Sequence, residues 1–162
     1  MTSLVPMKLE RFASYMEAAV AAYAEENVTS GRWPLAGAME RSRTDFLSLL
    51  PQGLGTPDNF LFEIVDQPGG TPVGVLWFAI EARHGIRSAF VYDLEIHPEW
   101  RRQGHARRAF AALETIVAAL GLDRIGLHVF GHNKAAQALY TSLGYQITGY
   151  NMTRQLTPPR GA

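Results

Sequence analysis

Apolar residues recur at helical spacing in two stretches near the start of the chain. Between Leu9 and Asn27 they lie three or four residues apart, alanine is abundant, and neither glycine nor proline intervenes. This pattern predicts a helix. A second helix is predicted from Ala36 to Leu50. The short apolar run from Leu4 to Met7 is expected to form a brief edge strand, where Pro6 can be tolerated.

The middle of the chain favours strands. Short runs there are rich in β-branched and aromatic residues, and turn residues separate one run from the next. The predicted strands are Phe60 to Val65, Val73 to Ile80 and Ile86 to Ile96, with turns at Gln67 to Gly70 and Glu81 to Gly85.

Helical spacing returns after Pro98 and ends near Gly121, a residue type that often terminates helices. The remaining predicted elements are a strand from Arg124 to Phe130, a helix from Asn133 to Ser142 and a bent or paired strand region from Tyr145 to Leu156.

This order of helices and strands predicts an α/β fold. A mixed sheet with helices on both faces would bury the apolar side of every element. No stretch has the composition of a linker that would divide the chain. We therefore expect one domain over residues 1–157, followed by a frayed tail at residues 158–162 that begins with two prolines.

The composition removes several classes of function. The chain of 162 residues is 47% hydrophobic, with no net charge and no cysteine. It can bury a core, has no overall attraction to nucleic acid, and cannot hold an acyl group on a thiol. It has neither an apolar run of ~18 residues nor a signal-peptide pattern at its start, so we expect a cytoplasmic protein that does not bind membranes. The five histidines show no metal-ligand spacing, and no metal is expected.

The run from Tyr92 to Arg108 carries the densest chemical signal. A predicted strand ends at Ile96, Pro98 interrupts the chain, and a helix begins near Gly104. Backbone N–H groups at the start of a helix lack helical partners and favour anions. The residues at this junction therefore predict a pyrophosphate site: Arg101, Arg102, Gln103, Gly104, His105 and Ala106.

Two other interpretations of this basic helix start stay open. It could be a solvated helix end, or a helix that contacts DNA, because Arg107 and Arg108 continue the basic run. Familiar nucleotide-binding loops are disfavoured. No Gly-Lys-Ser/Thr sequence occurs, and the run from Gly104 to Ala106 lacks the G-x-G-x-x-G pattern.

A second informative run extends from Leu127 to Tyr145. Asn133 opens a predicted helix, and Tyr140 follows seven residues later, which places both on nearly the same face of that helix. Taken singly, Asn133 could be an ordinary N-cap and Tyr140 an ordinary packed aromatic ring.

Together the two runs resemble the GNAT superfamily of N-acetyltransferases. The phosphate motif of that family, Arg/Gln-x-x-Gly-x-Gly/Ala, is matched from Arg101 to Ala106, although many members have glycine at the last position. The later signature of the family is Asn-x-x-Ala-x-x-Leu-Tyr followed by Gly-aromatic. It is matched by Asn133, Ala136, Leu139, Tyr140, Gly144 and Tyr145.

The resemblance implies a fold and an acyl donor. The fold is a mostly antiparallel sheet with a splayed parallel pair of strands, those that end near Ile96 and Phe130. Acetyl-CoA would bind in the split between them. Backbone groups at Leu94 and Ile96 would pair with the pantetheine amides, and Asn133 would contact the same arm. Tyr140 matches the position of the general acid that protonates the leaving thiolate.

Three residues are candidates for the general base that takes the proton from the amine. Asp93 and Glu95 interrupt an apolar strand two residues apart, so they share one face. Partial burial there would raise a carboxyl pKa. His128 lies where some family members carry a catalytic glutamate, and its ordinary pKa of ~6.5 suits a base at neutral pH. We place Glu95 first, Asp93 second and His128 third.

The acceptor implied by the resemblance is a primary amine on a small molecule or peptide. Trp33, between the first two helices, and Tyr150, in the last strand region, are the expected contacts. The late strands would present a sheet edge through which a homodimer could form. The leading alternative is a non-catalytic protein that keeps this fold and senses acyl-CoA. A nucleic-acid-binding module that uses Arg101 to Arg108 is a further alternative.

Overall fold

The computed structural model of the protein describes residues 1–157, and its elements follow the predicted order except for the final strand region. Numbered along the chain, they are β1 Thr2–Pro6, α1 Leu9–Thr29, α2 Ala38–Leu49, β2 Asn59–Asp66, β3 Thr71–Arg83, β4 Ile86–Ile96, α3 His105–Ala119, β5 Ile125–Leu127 and α4 Lys134–Ser142. Short 3-10 turns, Gly53–Gly55 and Pro98–Trp100, precede β2 and α3.

The five strands form one sheet in the order β1-β2-β3-β4-β5. The first four strands are antiparallel to their neighbours, and β5 runs parallel to β4. The predicted α/β fold, a mostly antiparallel sheet that includes one parallel pair, is therefore confirmed.

Alternation of side chains along the strands divides the core between the two faces of the sheet. On β3, Leu76 and Phe78 point to the face that α3 covers, and Trp77 points to the face that α1 and α2 cover. All three side chains are almost fully buried. Helices therefore cover both faces, as predicted. The two faces are called the α3 face and the α1 face below.

A β-bulge interrupts β4 in the middle of the sheet. Val91 pairs with Phe78 of β3 and Asp93 pairs with Trp77, so Tyr92 is an extra residue between them. A bulge bends its strand and increases the local twist. The last residues of β4 are thereby turned away from the direction that the first residues set.

The parallel strands separate at the same point. β4 pairs with β5 only from Ala89 to Val91, opposite Ile125–Leu127. Beyond this point residues 92–96 have no strand partner on the β5 side within the described chain. The opening between residues 92–96 of β4 and residues 128–130, which follow β5, is called the strand gap below. It is the split that the family resemblance implies.

Two strand ends differ from the predictions. β3 continues to Arg83 because it pairs with β4 over its whole length, which leaves His84 and Gly85, both with positive φ, to make the turn. β5 is limited to Ile125–Leu127 because β4 diverges after Val91, and a strand cannot extend a ladder without a partner.

The predicted strand region from Tyr145 to Leu156 is wrong, because no strand forms there. β5, the neighbouring edge, is only three residues long. Ile147 and Tyr150 are three positions apart, so an extended chain would point them to opposite faces. Their exposures are 68% and 78%. The sheet edge expected to support a homodimer is therefore absent from residues 145–157.

Three further expectations concern the C-terminal tail, membrane-spanning helices and the number of domains. Residues 158–162, predicted to be a frayed tail, lie outside the described residues. Within residues 1–157, none of the helices has both the length and the apolar character that crossing a bilayer requires. The assignment of residues 1–157 to one domain stays a prediction.

Gly74 of β3 lies where the backbone of β4 comes closest to it. A Cβ added to Gly74 would lie 2.1 Å from the carbonyl oxygen of Glu95. We expect Gly74→Ala to lower the free energy of unfolding by about 1–3 kcal/mol, the usual range for overpacking, as measured by urea denaturation. Gly55→Ala is the control, because a Cβ there meets nothing within 4 Å. Equal stability of the two variants would contradict this prediction.

Candidate active site

The start of α3 carries unpaired backbone donors. Gly104 caps the helix with a φ of 80°, and Arg102 before it also has a positive φ, 62°. The N–H of Arg108 donates to the Gly104 carbonyl at 3.1 Å. This is the first hydrogen bond of the helix, so the N–H groups from His105 to Arg107 have no helical acceptor. A pyrophosphate fits such an arrangement of donors at the positive end of a helix dipole.

The side chains of the predicted phosphate motif have different roles. Arg101 donates through Nε to the Ile96 carbonyl at 2.8 Å. His105 is buried, and its Nδ1 lies 3.0 Å from the Thr2 hydroxyl. Its side chain is therefore part of the core, and only its backbone can meet an anion. Arg102 is exposed and is the cation best placed to meet a ligand.

The two arginines that continue the basic run are engaged in tertiary contacts. Arg107 donates through Nη2 to the hydroxyl of Ser142 on α4 at 2.7 Å, and Arg108 donates through Nε to a hydroxyl on β1 at 2.8 Å. These contacts attach α3 to its neighbours, which disfavours a DNA-contacting helix. Of the remaining motif residues, Gln103 is exposed and Ala106 is partly buried.

The free edge of β4 presents backbone groups to the strand gap. His97 is the residue after β4, and its N–H donates to the carbonyl of Val73 in β3 at 2.8 Å. Because backbone groups alternate in direction along a strand, the N–H groups of Leu94 and Ile96 point to the opposite side, where β5 is absent. The side chains of both residues pack in the core, so they offer their backbone alone.

Asp93 is a partly buried carboxylate on the α1 face. The Tyr15 hydroxyl donates to its Oδ2 at 3.0 Å. Burial raises the pKa of Asp93 from 3.8 to about 6. The hydrogen bond from Tyr15 and the N–H of Leu94 oppose this shift, and the charge of Glu95 adds to it. The carboxyl is therefore ionised at neutral pH and binds a proton under mildly acidic conditions.

Glu95, on the same face, has a more open environment. Its side chain is 45% exposed and lies 3.9 Å from Arg101. With Tyr15, Glu63 and His97 it lines a cavity of about 200 Å³ between α1 and the sheet. Glu95 therefore lacks the shielding that was expected of the base.

Tyr140 of α4 packs on the α3 face of the sheet. Its ring packs edge-on against Phe110, with centroids 5.6 Å apart, and lies 5.8 Å from the ring of Tyr145. Burial and the charge of Asp93 raise the pKa of Tyr140, so its hydroxyl is protonated at neutral pH. Asp93 and Tyr140 come from opposite faces of the sheet and interact where β4 and β5 have separated.

The loop between β5 and α4 is fixed by two amide side chains. Asn133 is the N-cap of α4, and its Oδ1 accepts from the Ala136 N–H at 3.1 Å. Gln137 donates through Nε2 to the carbonyls of Phe130 and Gly131 at 3.1 Å and 3.0 Å. Sequence reasoning missed Gln137, because glutamine is common inside helices and its partners are set by the tertiary fold.

His128 and the loop after α1 meet beside the strand gap. His128 is exposed, and partial desolvation and the charge of Arg32 lower its pKa, so its ring is neutral at pH 7. Arg32 and Trp33 donate through their N–H groups to the Asn27 carbonyl at 3.0 Å and 3.2 Å. Asn27 is fully buried. This anchoring role was not predicted, because sequence reasoning placed Asn27 only at the end of a helix.

The two expected acceptor contacts, Trp33 and Tyr150, have different environments. Trp33 packs edge-on against Tyr23 at 5.4 Å and lines a cavity of about 560 Å³ between α1 and α2. Nearby, Nε2 of His132 lies 2.7 Å from Glu26 and joins the β5–α4 loop to the end of α1. Tyr150 is 78% exposed, and no aromatic or hydrogen-bond contact joins it to the site within residues 1–157.

Comparison with known proteins identifies the class of protein that has this site. The model of the acetyltransferase (GNAT) family matches residues 17–145, which include both sequence motifs and the strand gap. The chain therefore belongs to the GNAT family and is an acyltransferase. Members of this family use acetyl-CoA as a cosubstrate.

Two relatives from Bacillus subtilis (strain 168) match almost the whole chain. YycN, named as an uncharacterised N-acetyltransferase, is 37% identical over 153 residues, which cover 94% of this chain and 97% of YycN. YdgE, named in the same way, is 31% identical over 154 residues, which cover 95% and 98%. The crystal structure of YycN has a TM-score of 0.92 at 36% identity, over 98% of this chain and 100% of that chain. These matches favour an enzyme over an acyl-CoA sensor.

Replacing Asp93 with asparagine is expected to stabilise the folded protein at neutral pH. The pKa of about 6 in the folded state is above the unfolded value of 3.8. Stability is therefore lost as Asp93 ionises between these two values. Asp93→Asn is expected to raise the free energy of unfolding by about 1–3 kcal/mol at slightly alkaline pH and to change it little below about pH 4.

Urea denaturation across this pH range measures the effect. Glu95→Gln is the matched control, since a substitution at an exposed carboxylate usually changes stability by less than about 0.5 kcal/mol. A loss of stability in Asp93→Asn above neutral pH would show that burial does not raise the pKa of this carboxyl.

Proposed function

We propose that this protein transfers an acetyl group from acetyl-CoA directly to a primary amine on a small molecule or peptide. The observation that carries the proposal is that Asp93 of β4 and Tyr140 of α4 belong to elements on the two sides of the strand gap and that the charge of Asp93 acts on Tyr140. At neutral pH the first can accept a proton and the second can donate one. The unpaired N–H groups of α3, which suit a pyrophosphate, follow the same strand.

The residues along β4 and α3 fit the donor. The N–H groups at the start of α3 and the exposed Arg102 would hold the pyrophosphate. The N–H groups of Leu94 and Ile96 would pair with the amides of an extended pantetheine arm, as an added strand does. Asn133 would contact this arm from the other side of the strand gap. When bound, acetyl-CoA supplies the acetyl group as a thioester.

Asp93 suits the role of general base better than Glu95, which we placed first from the sequence. Asp93 is shielded and ionised at pH 7, and its charge acts on Tyr140. Glu95 is largely open to water beside Arg101. His128 is neutral at pH 7 but exposed, so water competes for any proton that it would take. We therefore assign removal of the proton from the amine to Asp93.

The proposed step transfers the acetyl group without a covalent enzyme intermediate. The amine nitrogen forms a bond to the acetyl carbon, and the bond from that carbon to sulfur breaks. Asp93 takes the proton that the amine loses, directly or through one water. Tyr140 donates its hydroxyl proton to the departing sulfur. A backbone N–H on the free edge of β4 would stabilise the charge that develops on the carbonyl oxygen.

The amine is proposed to enter from the α1 face. Asp93 lies on that face, since it pairs with Trp77 and accepts from Tyr15, and the charge of Arg32 acts on His128 beside the strand gap. The rings of Trp33 and Tyr23 would contact the carbon skeleton of the acceptor, since aromatic side chains offer large and rigid contact surfaces.

Removing the hydroxyl of Tyr140 is expected to separate turnover from donor binding. Loss of a general acid lowers kcat by about 10²–10⁴, while the Kd for acetyl-CoA in Tyr140→Phe should equal that of the wild type. Release of the CoA thiol with a panel of small amines and peptides measures kcat, and calorimetry measures Kd.

Tyr145→Phe is the matched control for this prediction. Among residues 1–157 the buried Tyr145 hydroxyl has no hydrogen-bond partner, and its ring packs beside Tyr140, so removal of this hydroxyl should leave kcat close to the wild-type value. Wild-type turnover by Tyr140→Phe would exclude Tyr140 as the acid. If the wild type acetylates no amine in the panel, the proposed function is wrong.

A further inference from the structure

Tyr15 of α1 is a buried residue that the proposed mechanism leaves without a role. It is 8% exposed and belongs to the apolar cluster beneath α1 and α2. Its hydroxyl nevertheless donates to Asp93 Oδ2 at 3.0 Å, across 78 residues of sequence. A phenylalanine would fill the same apolar space, so packing alone does not account for the hydroxyl.

The groups around Asp93 act on its charge in different directions. Glu95, on the same strand, disfavours ionisation, as burial does. Tyr140 faces Asp93 from α4, and β3 contributes Trp77, which does not titrate. Tyr15, from α1, is the side chain that favours the ionised form by donating a hydrogen bond to it.

The hydrogen bond also fixes the orientation of the carboxylate. Oδ2 is held by the Tyr15 hydroxyl. Within residues 1–157, no side chain donates a hydrogen bond to Oδ1. Oδ1 also does not belong to the unsatisfied atoms that are fully buried. One oxygen is therefore held by a side chain, and the other has no side-chain partner among residues 1–157.

We propose that Tyr15 is a positioning residue that holds Asp93 in one orientation and favours its charged form, so that Oδ1 can accept the proton of the amine. This inference rests on the proposed function, in which Asp93 is the general base. Tyr15 touches neither the amine nor the thioester, and it acts on the reaction through Asp93 alone.

The test removes the Tyr15 hydroxyl and follows the titration of Asp93 itself. In Tyr15→Phe, the ¹³C NMR titration of the Asp93 carboxyl, assigned with Asp93→Asn, should move to higher pH by roughly one pH unit, since a hydrogen bond to a charged group has about this effect. Tyr23→Phe removes a hydroxyl from the same helix and should leave the titration unchanged. An unchanged titration in Tyr15→Phe overturns the inference.

The dependence of kcat/KM on pH provides the second readout. Its acidic limb should move to higher pH with the NMR titration in Tyr15→Phe, and the value at high pH should also fall, because the ionised carboxylate is no longer held in one orientation. A shifted titration without a shifted limb would show that Tyr15 does not act in catalysis. Because phenylalanine fills the space of the tyrosine ring, we expect Tyr15→Phe to fold, and its urea denaturation checks that it does.

Failure of the proposed function gives a distinct result. If Asp93→Asn keeps the turnover of the wild type, Asp93 is not the base, and the assignment of Tyr15 to catalysis is wrong with it. The NMR titration requires no turnover, so it still reports whether the Tyr15 hydroxyl controls the ionisation of Asp93.

Discussion

The separation of β4 from β5 after Val91 is the constraint on which the site depends. A continuous sheet would isolate the α1 face from the α3 face. Because the bulge at Tyr92 bends β4 just where its pairing with β5 stops, a carboxylate from one face can interact with a phenol from the other. The same separation frees the backbone N–H groups of Leu94 and Ile96. In the proposed function, one local irregularity thus provides both the strand edge for the donor and the electrostatic interaction of Asp93 with Tyr140.

The site contains a partly buried charge and unpaired backbone groups, neither of which favours the stability of the fold. Asp93 is ionised under partial burial, close to the carboxylate of Glu95. Residues 92–96 give up hydrogen bonds that a neighbouring strand would supply. Proteins keep such features where activity requires them, and the rest of the fold offsets the cost. The close contact of Gly74 with β4 and the buried faces of β3 supply that support.

The sequence predicted what local pattern controls and missed what tertiary contacts control. The bounds of β4 and the helix start at His105 followed from periodicity and from the proline and glycine between them. The Tyr15–Asp93 hydrogen bond could not be predicted, because it joins residues 78 positions apart that carry no shared motif. His105 was predicted to contact the phosphate, although its side chain lies in the core. Glu95 was preferred over Asp93 because spacing shows a shared face but not which carboxylate is shielded.

Isothermal titration with acetyl-CoA tests most directly whether the strand gap and the start of α3 form the donor site. We expect one binding site in the wild type and at least tenfold weaker binding in Arg102→Ala/Gly104→Asp, where a Cβ would also lie 2.8 Å from Arg108 Nη1. Arg107→Ala is the control, because it removes a neighbouring charge but no backbone donor. If the folded wild type does not bind acetyl-CoA, or if the double variant binds it equally well, the strand gap and the start of α3 are not the donor site.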